Sequence, residues 1–174
     1  MDEHLKVSNV TNRLTTILFV TYLIALSWIL LFKLGVRFSY MENRRVNLIP
    51  FNEPVILSGE NILNVVIFIP LGIYAGILFQ RWIFAKKLLF IFLLSLLVEG
   101  LQYILRLGAF DVTDIVTNTL GGVIGVMIFK GLEKVFNNSV KTQRFINRIA
   151  ATGTVLMILL FVLLKMNMLP VRYQ

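Results

Sequence analysis

Five stretches of the chain are almost continuously apolar: 14–34, 62–80, 88–105, 112–130 and 149–165. A hydrocarbon core about 30 Å thick is crossed by about 20 residues of helix, so each run is long enough to span one. The pattern predicts an all-α, polytopic membrane protein of about five transmembrane helices. One segment interrupts the pattern. Between the third and fourth runs, 99–118 reads EGLQYILRLGAFDVTDIVTN and carries a glutamate, an arginine and two aspartates. An ionisable group at a helix centre costs about 2.5–3.5 kcal/mol on insertion scales, so such groups normally face protein or a water-filled site. Glu99, Gln102 and Arg106 fall at i, i+3 and i+7, as do Asp111, Asp114 and Asn118, which places each set on one face of a regular helix.

Composition supports the membrane reading. Of 174 residues, 57% are hydrophobic and 15% charged, with a mean hydropathy of +0.82; soluble domains run nearer 25% charged. The expected organisation is one transmembrane domain over 1–174, with 149–165 as an additional C-terminal helix. A net charge of +8 would suit nucleic acid, but the cations sit beside apolar runs, where positive-inside bias and anionic lipid account for them. Nucleic acid is therefore not an expected partner; membrane lipids are. The chain has no cysteine and one histidine, His4. Thiolate chemistry is thereby excluded, and a Ser-His-Asp triad or a His-rich metal site has no basis. The first run follows a short polar leader with no small-residue cleavage site, which reads as a retained span.

Alternating the loops places ten basic residues on one side, including Arg81, Lys86, Lys87 and those of the 130–148 loop, and seven on the other. The bias predicts a cytoplasmic N-terminus and an outside C-terminus. The polar segment 99–118, the start of the second run and the 37–61 loop then share the outer surface.

Glu99 lies inside an apolar run near that surface. It can act as a general acid or base, a ligand, or a partner for a cation; alternatively it bonds Arg106, Asn64 or Asn118 and only orders the helices. Asp111 suits the N-cap of the fourth helix, with Asp114 in its first turn. Together with Glu99 and Asn118, the two aspartates could instead offer oxygen ligands to a divalent cation, Mg²⁺ or Ca²⁺. Asn64 and Asn61 could line the site or bridge helices. Arg44 and Arg45, opening the stretch 44–52 (RRVNLIPFN), suit phosphate through bidentate bonds, or anionic headgroups. That stretch is too polar to span and too apolar to float freely, so it lies in the interface or dips toward the helices, with Pro50 and Pro54 barring regular helix. Gly72 with Gly76, and Gly121 with Gly125, are small-xxx-small pairs that allow close helix approach. Pro70 removes a hydrogen bond to Val66 and should kink the second helix.

These residues in this order resemble the VanZ-like membrane proteins. The shared elements are NLIPF at 47–51, NVVIFIPLG at 64–72, the S-x-x-x-E-x-x-Q of Ser95, Glu99 and Gln102, DVTD at 111–114, then Asn118, Gly121 and Gly125, a motif core over 44–125. The resemblance implies a multi-pass protein of a bacterial cytoplasmic membrane that lowers susceptibility to teicoplanin, a lipoglycopeptide. It marks Arg44, Asn47, Asn64, Glu99, Gln102, Asp111, Asp114 and Asn118 as the site. One departure stands out. Many members carry an arginine a few residues before the first aspartate, where this chain has Gly108, Ala109 and Phe110. Arg106, slightly earlier, either reaches the same place or leaves the site without that cation.

Two functions follow as expectations. In one, the protein binds or modifies a lipid-linked anionic envelope substrate, such as a polyprenyl-phosphate cell-wall precursor or an anionic lipid, at the outer face; Arg44, Arg45 and Arg106 hold phosphate, and Glu99, with Asp111 and Asp114, supplies any chemistry. In the other, it is a non-enzymatic factor that alters antibiotic access or pairs with another envelope protein. A small transporter is a distant third, since the runs show no inverted repeat.

Overall fold

The computed structural model describes residues 2–32, 45–52 and 58–165. Arg44 and Pro54 lie outside the described residues. Five helices account for nearly all of it: α1 (Asp2–Phe32), α2 (Gly59–Leu78), α3 (Phe84–Ile104), α4 (Val112–Phe136) and α5 (Ser139–Lys165). Two short strands, β1 (Val46–Asn47) and β2 (Phe110–Asp111), pair in parallel, with Val46 opposite Phe110 and Asn47 opposite Asp111. The fold is all-helical apart from this ladder. Among the described residues, Thr11–Leu30, Gly59–Leu78 and Val112–Phe136 are each long and apolar enough to cross a membrane.

The chain divides into two compact units. The larger, 22–137, is organised around α2 and α4. The small-residue pairs work as expected: a Cβ on Gly72 would strike the Gly122 carbonyl, one on Gly121 the Val65 carbonyl, and one on Gly125 the Ile69 carbonyl. The two backbones are thus in direct contact, the packing that replaces the hydrophobic effect between helices in lipid. Ile91 of α3 closes against Gly122, and Phe68, Leu71, Ile91 and Val126 are wholly buried. Helix α2 runs on through Pro70 as a single element. Its start is fixed by Ser58, whose hydroxyl accepts from the Asn61 amide at 3.2 Å. The Tyr22 hydroxyl of α1 donates to the Ile67 carbonyl at 2.7 Å.

The smaller unit joins the N-terminal part of α1 to α5. Its contact is polar. The Thr15 hydroxyl donates to the Thr11 carbonyl at 2.9 Å and accepts from Gln143 Nε2 at 2.7 Å and Asn147 Nδ2 at 2.9 Å. Gln143 Nε2 also reaches Asn12 Oδ1 at 3.2 Å. Thr15, Thr142, Gln143 and Asn147 are all buried.

This corrects one expectation. The stretch 130–148 is not a loop: α4 continues to Phe136, and α5 begins at Ser139. Asn137 ends α4 in the left-handed region (φ 48°), and Asn138 Oδ1 accepts from the Lys141 amide at 3.0 Å to start α5.

Candidate functional site

The larger unit holds a cavity of about 170 Å³. Ile29 and Leu30 of α1, Leu63 and Ile67 of α2 form its apolar wall, and Glu60, Asn64, Glu99, Gln102 and Asp114 its polar one. Residues 39 positions apart, Glu60 of α2 and Glu99 of α3, therefore line one cavity.

The ladder of β1 and β2 builds one side of this region. Asp111 is the N-cap of α4 in extended conformation (φ −122°, ψ 121°), and its Oδ1 accepts from the Thr113 amide at 2.7 Å. Its Oδ2 accepts from Asn47 Nδ2 at 3.0 Å. Asn47 Oδ1 accepts from the Ile49 amide at 3.3 Å, turning the chain after β1. The Phe51 amide then donates to the Thr113 hydroxyl at 3.1 Å. The stretch 45–52 accordingly dips back to the helices, held by backbone pairing and three side chains. Phe51 itself adopts φ 56°, an unusual conformation for an aromatic residue.

Glu99 is 2% exposed, and its Oε2 accepts from the backbone amide of Asp111 at 3.2 Å. This is a different partner from Arg106, Asn64 or Asn118, the three that sequence spacing offers. Gln102, one turn on, donates from Nε2 to the Leu30 carbonyl at 2.7 Å, tying α3 to α1. Asn64 Nδ2 donates to Asp114 Oδ1 at 2.8 Å, tying α2 to α4. Asn118 is buried one turn beyond Asp114 and donates to the Ser95 hydroxyl at 3.0 Å. Its Oδ1 is buried without a hydrogen-bond partner among the described residues.

The two helical triplets do not survive intact. Helix α3 ends at Ile104, and Arg106 turns into the left-handed region (φ 58°). Glu99 and Gln102 stay on the cavity face while Arg106 leaves it and is exposed. Asp111 precedes the first turn of α4, so its phase differs from that of Asp114, and it faces the β1 ladder. Arg45 is also exposed; its carbonyl accepts from the Phe110 amide at 3.0 Å. No cation among the described residues lines the cavity. Among the described residues, no group of three or more Asp, Glu, His or Cys side chains is placed to hold a metal ion. Asp111 has both oxygens engaged by the cap and by Asn47, while Asp114 bonds Asn64, so the two aspartates serve different contacts.

Two contributors were not singled out from sequence. Glu60, in the first turn of α2 and four residues before Asn64, lines the cavity; its i, i+4 spacing to Asn64 was the available signal. Thr113, inside the DVTD element, is buried and anchors both Phe51 and the cap.

The sequence profile of the family described as VanZ/LLP1 matches residues 19–140. The chain belongs to the VanZ/LLP1 family. The match runs from within α1 to the first residues of α5 and includes every residue that lines the cavity. Protein VanZ of Enterococcus faecium is 38% identical over 149 residues, which is 83% of this chain and 89% of that protein. No solved structure matches. With three apolar helices of spanning length, this VanZ/LLP1 member is a membrane protein.

Proposed function

We propose that this protein is a five-span protein of the bacterial cytoplasmic membrane, N-terminus inside, that supports teicoplanin resistance by binding or modifying a lipid-linked anionic envelope substrate at its outer face. The observation that carries the reading is the cavity in which Glu60, Asn64, Glu99, Gln102 and Asp114 converge beside an apolar wall from α1 and α2. Ionisable and amide side chains gathered within membrane-spanning helices are costly, and they are typical of substrate or ion sites.

The charge of the cavity refines the substrate's pose. Three carboxylates repel a phosphate, whereas hydroxyl, amide and ammonium groups find acceptors there. The donor-rich part of the substrate enters the cavity, and its phosphate stays outside with the exposed Arg45 and Arg106. Glu99, the most buried of the acids, supplies the proton transfer if a bond is made or broken. A divalent cation, if the substrate brings one, is held by its phosphate and Asp114 rather than by Asp111.

A second reading draws on a specific observation: each of Glu99, Asp111 and Asp114 accepts a bond that joins separate segments. On this reading the cluster only secures the helices, and the protein alters antibiotic access or pairs with another envelope protein. One experiment separates them. Purified protein is titrated with labelled polyprenyl-phosphate-linked precursors, beside teicoplanin susceptibility of a host expressing the natural chain or Glu99→Gln. Saturable binding, lost together with resistance in a fully abundant Glu99→Gln, supports the substrate reading. Resistance that falls only in step with folded protein supports the scaffold.

A further inference from the structure

We propose that the first three turns of α5 form a docking surface for anionic phospholipid headgroups, a role separate from the cavity and independent of its ligand. Lys141, Arg144 and Arg148 stand at i, i+3 and i+7, on one helix face, and all three are exposed. The opposite face settles which way they point: Thr142, Gln143, Ile146 and Asn147 are buried, with Gln143 and Asn147 bonded to Thr15 of α1. The helix therefore turns its cations outward. Arg13 of α1 is exposed in the same unit, next to Asn12, the residue that receives Gln143.

Charge complementarity names the occupant. From Lys134 to the C-terminus the sequence contains six Lys or Arg and no Asp or Glu, and no acid lies between Thr11 and Thr21. The partner must therefore be anionic. Its form follows from what surrounds the cations. Phe145 (40% exposed) and Ile149 (58% exposed) flank them, and the same helix runs on into exposed Val155, Leu156, Met157, Ile158 and Leu159. Cations at the end of an apolar segment, with an aromatic and an aliphatic side chain beside them, sit at headgroup depth. Guanidinium and ammonium groups there meet the phosphates of phosphatidylglycerol or a similar anionic lipid.

The test equilibrates the purified full chain with mixed micelles holding equal phosphatidylglycerol and phosphatidylcholine, and counts retained lipid by native mass spectrometry. The natural chain is expected to prefer phosphatidylglycerol by about tenfold at low salt, and high salt should erase the preference. K141Q/R144Q/R148Q should lose it, and the charge-keeping K141R/R144K/R148K should keep it. Equal retention of both lipids by the natural chain, or a preference that survives high salt, overturns the proposal. So does displacement of the lipid by inorganic phosphate at an ionic strength at which chloride leaves it bound, which would mark a site for the free ion. If the glutamine variant does not fold, the single variants K141Q, R144Q and R148Q should each lower the preference, and an unchanged preference in all three overturns the proposal.

Discussion

The carboxylate of Glu99 receives the backbone amide of Asp111 at 3.2 Å, across the turn that separates α3 from α4. An acid buried in α3 thereby positions the residue that caps α4. The bond is directional: the peptide N–H donates, and a glutamine oxygen could accept in its place. Glu99→Gln is therefore expected to cost about 1 kcal/mol or less, the net worth of one neutral hydrogen bond. Glu99→Leu leaves the amide unmet in a buried setting and should cost about 1–3 kcal/mol. Unfolding in mixed micelles measures both. The glutamine variant thus tests the charge of Glu99 at nearly constant fold, the property that the proposed substrate chemistry needs.

Asp111 joins the cap of α4 to β1, and the two jobs can be separated. Asparagine is as good an N-cap as aspartate, whereas alanine costs about 1 kcal/mol at such a position. Asp111→Asn should keep the cap, since its side-chain oxygen can still receive Thr113, but it turns an amide nitrogen toward Asn47 Nδ2 and loses that bond, at a cost of about 0.5–1.5 kcal/mol. Asp111→Ala loses both Thr113 and Asn47. In a double-mutant cycle with Asn47→Ala, the coupling should be about 0.5–1.5 kcal/mol, the net range of a typical single hydrogen bond. A coupling near zero would mean that the 45–52 stretch is held by its backbone pairing alone.

Much of this arrangement can be read from residue order. Apolar runs locate α2, α3 and the start of α4 to within about four residues, because a lipid-spanning helix must be apolar along its whole length. The glycine pairs announce the α2–α4 contact, and Asp111 announces the start of α4. The β1–β2 ladder is another matter. Two residues pair with two others 64 positions away, and so short a strand has no period of its own to detect. Arg106 was misplaced by extending the helical period past Ile104, where the chain turns. The start of α5 was hidden for a physical reason too: its first turns bury polar residues on polar residues, so hydropathy alone makes them look like loop. Thr11 and Thr15 at i, i+4, facing Gln143 and Asn147 at i, i+4, carried the missing signal.

Close approach of α2 and α4 predicts a strong dependence on hydrogen at Cα. In Gly125→Ala the new methyl meets the Ile69 carbonyl and Gly72. Both are backbone, which yields only if the helices separate. The expected loss is about 1–3 kcal/mol or more, as for other overpacked interiors. Gly153→Ala is the matched control, since nothing lies within 4 Å of its Cβ position. There the gain should be about 0.5–1 kcal/mol, because glycine weakens a helix interior relative to alanine. Thermal unfolding of the two variants in one detergent reads the difference in sign directly.

The Thr15 hydroxyl is the hub of the α1–α5 contact, taking two amide donors while giving its own proton to Thr11. Thr15→Val keeps the shape and removes the hub, leaving Gln143 Nε2 with Asn12 and Asn147 Nδ2 with the Thr11 carbonyl. Hydrogen bonds between membrane helices average about 0.6 kcal/mol, with measured cases reaching about 1.7, so losing two should cost about 1–2 kcal/mol. Replacing the two amides as well, in Thr15→Val with Gln143→Leu and Asn147→Leu, removes the buried polar groups that have lost one of their two partners. An interior purged of its polar members is often close to neutral. The triple variant should therefore recover most of the stability that Thr15→Val loses. If the triple variant is instead less stable than Thr15→Val by the sum of the single effects, the three residues act independently and α1 meets α5 without a shared network.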